Sequence, residues 1–402
     1  MAAVAVLGYG TVGSGVAKIL TENKTHVSRR AGEEIDLKYV LDLRDFPGDP
    51  VEKVLVHDFD TIVNDPEIRV IAEAMGRIEP AFTFAKKALE KGISFCTSNK
   101  ELVEAKGAEL IALAKENQAN FFFEASVGGG IPVIRPMIQS LTADHFNEIS
   151  GILNGTTNYM LTKMDKEGLS FEDVLKDAQE KGYAERDPEA DVEGHDAGRK
   201  IAILASLAYE KQVNFQDVSM EGITDIDSAD FAYAKALGMA IKLLGAARKK
   251  DGSTYALVAP FMVGADDPLY AVSGVFNAVK LHGDMLGNVM FYGKGAGKEA
   301  TASAVVSDIV ECVREQGRHV EILWDADSLE LGNVAEYPFR YFVRLSGTVD
   351  GAALAAFGTV ETVKAEGVNG ETAFVTGEMT EAELSAAVEK SGAAMIKRIR
   401  LN

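Results

Sequence analysis

The chain has 402 residues, 61 acidic against 41 basic side chains, a formal net charge of −20 and 2 cysteines. This balance argues against nucleic acid or an anionic membrane as the main partner, because neutralising phosphates needs clustered Lys and Arg. Two cysteines are too few for a disulfide framework, and the 6 histidines form no H-x-x-x-H pair for a zinc hydrolase. With no run near roughly 18 apolar residues and no targeting segment, the expected setting is the reduced cytoplasm. The length predicts two or three domains.

Taken in chain order, Ala2–Leu7 reads as a buried strand and Thr11–Leu20 as a helix. Ile35–Leu43, Val70–Met75, Ile93–Thr97 and Asn120–Ala125 read as further strands, with helices over Ala81–Lys91 and Glu101–Asn117 between them. Such alternation predicts a doubly wound parallel sheet of α/β class. From Gly130 the texture changes: helical patterns cover Val133–Leu141, Leu169–Lys181, Asp196–Lys211 and Thr301–Glu315. Strands around Ala256–Val263 and Asn288–Tyr292 suggest an antiparallel or mixed sheet, hence an α+β domain. Asp325–Pro338 is rich in acidic and turn-forming residues and reads as a linker. The tail holds strand patterns at Arg340–Ser346, Thr359–Val363, Thr372–Thr376 and Met395–Leu401, with a helix over Thr380–Ser391. These patterns predict three parts: a doubly wound domain over 1–130, an α+β domain over 131–320, and a small αβ module over 335–402.

Gly8-Tyr9-Gly10-Thr11-Val12-Gly13 follows a strand and opens a helix. In that setting the first glycine allows the tight turn, the second lets backbone approach a pyrophosphate, and the third permits close helix packing. The free N–H groups of Thr11 and Val12 at the helix start favour an anion. A Gly-rich structural turn is the plain alternative. Beyond the second strand, Asp42 would hold a ribose 2′-hydroxyl and favour NAD, whereas Arg44 would bind the 2′-phosphate of NADP. The two residues pull in opposite directions, and the choice between cofactors stays open here.

Ser98 and Glu101 have capping-box spacing, which places the cap at Ser98 and Lys100 in the first helical turn, at the carboxyl edge of a parallel strand. A cation is disfavoured there by ~0.3–1 kcal/mol, so Lys100 is either a site residue or a solvated side chain. Farther on, Glu185, Asp191, Asp196 and Lys200 cluster around Asp187-Pro188 and Gly194. Asp196 and Lys200 are four apart on one helix face, while an acidic loop with a surface ion pair is the alternative reading.

Together these segments resemble homoserine dehydrogenase. GYAERDPEADVEGHDAGRK at 182–200 is the most specific stretch, supported by GYGTVG at 8–13, SNKEL at 98–102 and EASVGGGIP at 124–132. GILNGTTNY at 151–159 and FYGKGAGKEATASAVVSD at 291–308 complete the set, so the resemblance covers residues 1 to about 320. It implies NAD(P)-dependent interconversion of L-homoserine and L-aspartate 4-semialdehyde, in threonine, methionine and isoleucine biosynthesis, by a homodimer or tetramer, with 1–130 the dinucleotide-binding domain completed by a helix at 301–320 and 131–320 the catalytic and dimerisation domain. By the same resemblance Lys200 is the proton donor or acceptor, assisted by Lys100 near the nicotinamide, with Asp196 beside the reacting oxygen. Glu185 and Asp191 would hold the substrate ammonium, and Gly295 and Gly297 would lie near the cofactor, while Asn154-Gly155-Thr156-Thr157, at a predicted strand-to-helix turn, could supply N–H and hydroxyl donors to the substrate. Glu124, with the backbone carbonyls of Val127, Gly129 and Ile131, matches a monovalent cation site for sodium. The tail resembles a degenerate ACT-like module, with Thr348-Val349-Asp350-Gly351-Ala352 where that module has Asp-x-Pro-Gly. Alternatives are another amino-acid semialdehyde dehydrogenase, and a dinucleotide-dependent sensor that binds an amino acid without turnover. A thioester-forming enzyme is disfavoured because neither Cys96 nor Cys312 looks presented for attack.

Overall fold

The computed structural model describes residues 1–250 and 252–402. The chain forms two compact units, 1–146 with 202–215 and 283–329, and 147–201 with 216–282 and 330–402. Among the described residues no helix is long and apolar enough to cross a membrane.

The first unit is built on β1 (Ala2–Leu7), β2 (Ile35–Leu41), β3 (Leu55–Val56), β4 (Ile68–Glu73), β5 (Ser94–Thr97) and β6 (Phe121–Phe122). All pair in parallel, in the order β3-β2-β1-β4-β5-β6. Each residue of β1 is buried, which is why its sequence is an unbroken apolar run rather than an alternation. The strand order reverses between β1 and β4, and in such sheets ligands bind outside the carboxyl ends at that point. The helix Lys298–Arg314 belongs to this unit and packs on the helix Thr11–Glu22. A side chain on Gly15 would lie 2.9 Å from Ala302 Cβ, so small residues set the closeness of the two helices.

The second unit contains a mixed sheet that runs through Phe276–Gly283, Phe146–Ile152, Met239–Lys250, Ser253–Gly264, Met395–Leu401, Phe339–Ser346, Glu371–Met379 and Glu361–Val363. Its backbone is the antiparallel pair Met239–Lys250 and Ser253–Gly264. The tail, 330–402, falls in this unit. Met395–Leu401 pairs in parallel with Ser253–Gly264 and antiparallel with Phe339–Ser346, so the tail extends the central sheet.

Several expected boundaries shift for local reasons. The second strand stops at Leu41 instead of Leu43, because the Asp42 carboxylate accepts from the backbone N–H groups of Tyr9 and Arg44 and turns the chain. Asn120–Ala125 shortens to Phe121–Phe122, since Glu124 opens a 3₁₀ turn. The helix expected over Val133–Leu141 has π geometry over Pro136–Ser140, where the proline removes one backbone donor. The supposed linker holds a strand, Asp325–Ser328, paired in parallel with Lys211–Gln212. The cap expected at Ser98 is Asn99, whose side chain accepts from Leu102 N at 3.1 Å.

Candidate active site

In the first unit, the glycine-rich turn has the geometry that its spacing requires. Gly8 has φ +89°, and a Cβ there would come within 3.0 Å of Ala74 O. Gly13 is held tighter still: a Cβ would lie 1.8 Å from Gly8 O. By contrast, among the described residues nothing beyond its chain neighbours lies within 4 Å of a Cβ on Gly10, which caps the helix Thr11–Glu22. The N–H groups of Thr11, Val12 and Gly13 precede the first intrahelical bond, from Ser14 N to Gly10 O, an arrangement suited to a pyrophosphate.

Asp42 and Arg44, opposed in the sequence reading, are joined. Arg44 Nε and Nη2 both donate to the Asp42 carboxylate at 3.0 Å, and the guanidinium lies 5.1 Å from the Phe46 ring centre. Asp42 Oδ2 also accepts from Tyr9 N at 2.8 Å, which ties the strand end to the glycine-rich turn. The Arg44 guanidinium holds the Asp42 carboxyl well below the usual carboxylate range, although Asp42's own burial opposes this.

Lys100 is the first residue of the helix Lys100–Glu116, at the carboxyl end of β5, and is half-buried. Its approach is fixed by two residues that sequence reasoning missed. Asn99 caps the helix and donates to Arg77 O, and Glu73, fully buried at the end of β4, accepts from Met75 N, Gly76 N and Thr97 Oγ1. Burial pushes the Glu73 carboxyl up, against the pull of those donors. The only sequence signal for Glu73 is an acid closing an otherwise apolar strand.

Gly295 lies against Gly129, where a Cβ on the latter would be 2.4 Å from Gly295 O. Gly130 N donates to Lys294 O at 3.2 Å, and Gly297 caps the helix Lys298–Arg314 with φ 121° and open space beside it. The Glu124 carboxylate is already occupied: it accepts from Val133 N, Ile134 N and Arg135 N at 2.7–2.8 Å. These three donors fix the Glu124 side chain over the 133–135 turn. Among the described residues no group of three His, Cys, Asp or Glu side chains could hold a metal ion.

In the second unit, Asp191, Asp196 and Lys200 come together around Asn154. Lys200 Nζ donates to Asp196 Oδ2 at 2.6 Å and to Leu153 O at 2.8 Å, which among the described residues leaves its third N–H for a ligand. The Asn154 amide gives one hydrogen to Asp191 Oδ1 at 2.7 Å and the other to Asp196 Oδ2 at 2.9 Å. Its carbonyl oxygen meanwhile accepts from Thr157 N and caps the helix Gly155–Glu167. Burial and the nearby Asp196 charge raise the Asp191 carboxyl above its ordinary value, while Asn154 restrains the rise. Gly155 is required by space, since a Cβ would lie 2.8 Å from Val275 O. Thr156 Oγ1 donates to Tyr183 O at 2.7 Å, so its hydrogen tethers the 182–188 loop. Glu185 stands exposed on that loop, its carbonyl accepting from Gln179 Nε2, and its side chain is not drawn into the cluster.

Two family models match the chain. Residues 8–124 match "Homoserine dehydrogenase, NAD binding domain" and residues 132–310 match "Homoserine dehydrogenase". A homoserine dehydrogenase of Bacillus subtilis is 41% identical over 315 residues, which cover 77% of this chain and 72% of the relative. One from Helicobacter pylori is 41% identical over 344 residues, 85% of this chain and 81% of the relative. Among solved structures, a homoserine dehydrogenase from Thiobacillus denitrificans has a TM-score of 0.87 at 33% identity, covering 100% of this chain and 98% of that one. A hyperthermophilic archaeal homoserine dehydrogenase mutant in complex with NADPH has a TM-score of 0.65 at 29% identity, over 77% and 97% of the two chains.

Proposed function

The chain belongs to the homoserine dehydrogenase family of NAD(P)-dependent oxidoreductases, and on that premise we propose how its residues divide the work. The observation that carries the assignment is the third N–H of Lys200, left by Asp196 and Leu153 O. When bound, the nicotinamide supplies or accepts the hydride. Lys200 donates to the distal oxygen of the substrate, so that in reduction a proton moves from Nζ to the developing alkoxide. In oxidation the hydroxyl proton returns to Nζ. Asp196 balances the ammonium charge and aims it, and Asn154 keeps Asp196 and Asp191 in register. Asp191 faces the substrate ammonium, while Lys100 serves the nicotinamide side.

This division predicts a graded response. Asp191→Asn should raise homoserine KM by about tenfold or more, because a charge-assisted hydrogen bond contributes ~1.5–3 kcal/mol. Glu185→Gln should raise it less, since that side chain is exposed. Cofactor Kd should stay constant in both variants. Equal changes in KM and cofactor Kd would remove these acids from the substrate subsite.

For the cofactor, we propose that the Arg44 guanidinium cancels the repulsion between Asp42 and a 2′-phosphate, so that both NAD and NADP are accepted. Arg44→Ala should then weaken NADPH by about tenfold or more and NADH by less than about threefold. Asp42→Ala should weaken both, because Asp42 also holds Tyr9 N. Titration of each variant with both reduced cofactors checks this, and equal losses of NADH and NADPH in Arg44→Ala would place that residue away from the 2′ position.

We propose that Glu124, with the main-chain carbonyls of Val127, Gly129 and Ile131, holds sodium, a reading that rests on the family resemblance of EASVGGGIP at 124–132. Replacing sodium by choline at constant ionic strength should therefore lower activity. Unchanged activity and thermal stability would remove sodium from this loop.

A further inference from the structure

The substrate acid Asp191 is followed directly by residues that lean on a distant part of the chain. Ile223 N donates to Val192 O at 2.9 Å, and Thr224 Oγ1 donates to Glu193 Oε1 at 3.2 Å. Between these contacts the approach is as close as backbone allows: a Cβ on Gly222 would lie 2.5 Å from Val192 O and 2.9 Å from Glu193 Cα. Gly194, with φ +84°, then turns the chain into the helix that carries Asp196 and Lys200, and a Cβ there would lie 2.9 Å from Val258 Cγ1. The segment 221–224 thus braces the turn between Asp191 and Asp196.

That segment is itself gripped by cations from the tail. Arg398 Nη1 and Nη2 donate to the two oxygens of Glu221 at 3.1 Å each, and Arg400 Nη1 lies 2.8 Å from Glu221 Oε1. Arg400 is only 2% exposed, and both arginines also meet Glu381. Farther along, Lys397 Nζ donates to Asp225 O, and Arg344 pairs with Asp227 and Asp230 at the start of the helix Ser228–Ala236. A bidentate arginine fork fixes direction as well as distance, and a half-buried carboxylate such as Glu221 cannot readily find another partner. From its other end, Glu221 N donates to Val258 O at 2.8 Å, which fixes the segment to the central sheet.

We propose that Glu221 and Arg398 are positioning residues for the substrate site, through which the C-terminal tail holds Asp191 at the correct place. The inference rests on the assignment of Asp191 to the substrate ammonium. It makes the tail part of the substrate-binding machinery, acting through the contacts Arg398–Glu221, Gly222–Val192 and Ile223–Val192.

The test uses the full-length enzyme in four single variants, Glu221→Gln, Arg398→Met, Arg398→Lys and Asp191→Asn, and the double variant Glu221→Gln with Asp191→Asn. For each, homoserine KM, kcat, cofactor Kd and Tm are measured. Glu221→Gln and Arg398→Met should raise homoserine KM by roughly tenfold, with kcat at saturation within about twofold and cofactor Kd unchanged. Arg398→Lys should restore part of the loss. The double variant should be little worse than Asp191→Asn alone, because both changes act through one group. If Glu221→Gln does not fold, Arg398→Met, whose side chain is 23% exposed, carries the test. A purely structural role would lower Tm and active fraction at constant KM, and would overturn the proposal. Additive effects in the double variant would overturn it too. An unchanged KM in Asp191→Asn would instead defeat the substrate assignment on which the inference rests.

Discussion

Lys200→Ala is expected to lower kcat by about 10²–10⁴-fold, the usual contribution of a positioned acid or base, while cofactor Kd changes by less than about threefold. The asymmetry follows from where the side chain sits. Lys200 Nζ is anchored on Asp196 and Leu153 O, both in the second unit, whereas the glycine-rich turn and Asp42 lie in the first. Removing it also takes a cation from the Asp196 carboxylate, whose side chain is 9% exposed and which keeps the Asn154 amide as a donor. Breaking a buried pair costs ~3–5 kcal/mol, so Tm should fall as well. Asp196→Asn separates the two effects, since it keeps a hydrogen-bonding side chain beside Lys200 without the charge. Its kcat should fall less than that of Lys200→Ala, with a smaller loss in Tm. A Lys200→Ala enzyme that retains near wild-type kcat would remove the residue from proton transfer, whatever its stability.

Gly13→Ala should abolish useful cofactor binding and destabilise the first unit, whereas Gly10→Ala should do only the former. At Gly13 the added Cβ would sit 1.8 Å from Gly8 O, and no rotamer can move a Cβ, so the backbone itself must open. Overpacking of this kind costs ~1–3 kcal/mol or more in stability. It also displaces the N–H groups of the first helical turn, and a misplacement of about 1 Å can cost roughly a hundredfold. At Gly10 the described residues, chain neighbours aside, offer no atom within 4 Å, so an added methyl there meets open space and acts by obstructing a ligand. Thermal melting and titration with reduced cofactor distinguish the two. Wild-type melting of Gly13→Ala would mean that the turn relaxes freely, and wild-type affinity of Gly10→Ala would mean that the cofactor passes elsewhere.

The sequence by itself determined whatever depends on neighbours a few residues apart. The strand–turn–helix spacing of Gly8, Gly10 and Gly13 requires a particular backbone, and β1 and the helix Thr11–Glu22 follow it. The four-residue spacing of Asp196 and Lys200 puts them on one helix face, and they pair at 2.6 Å. Tertiary structure decided what those faces meet. Asn154 lies 37 and 42 residues from the two aspartates that it bridges, and its place at a strand-to-helix turn marks it as a donor without revealing those partners. Asp42 and Arg44 read as competitors for one phosphate, and only the folding of the glycine-rich turn onto the strand end makes them a pair with Tyr9 N as a third partner. The tail shows most clearly where spacing runs out. Its strands were legible, but their pairing with Ser253–Gly264 was not. Helix and strand periods fix which side chains share a face, whereas the partner of that face is set by long-range packing of the whole unit.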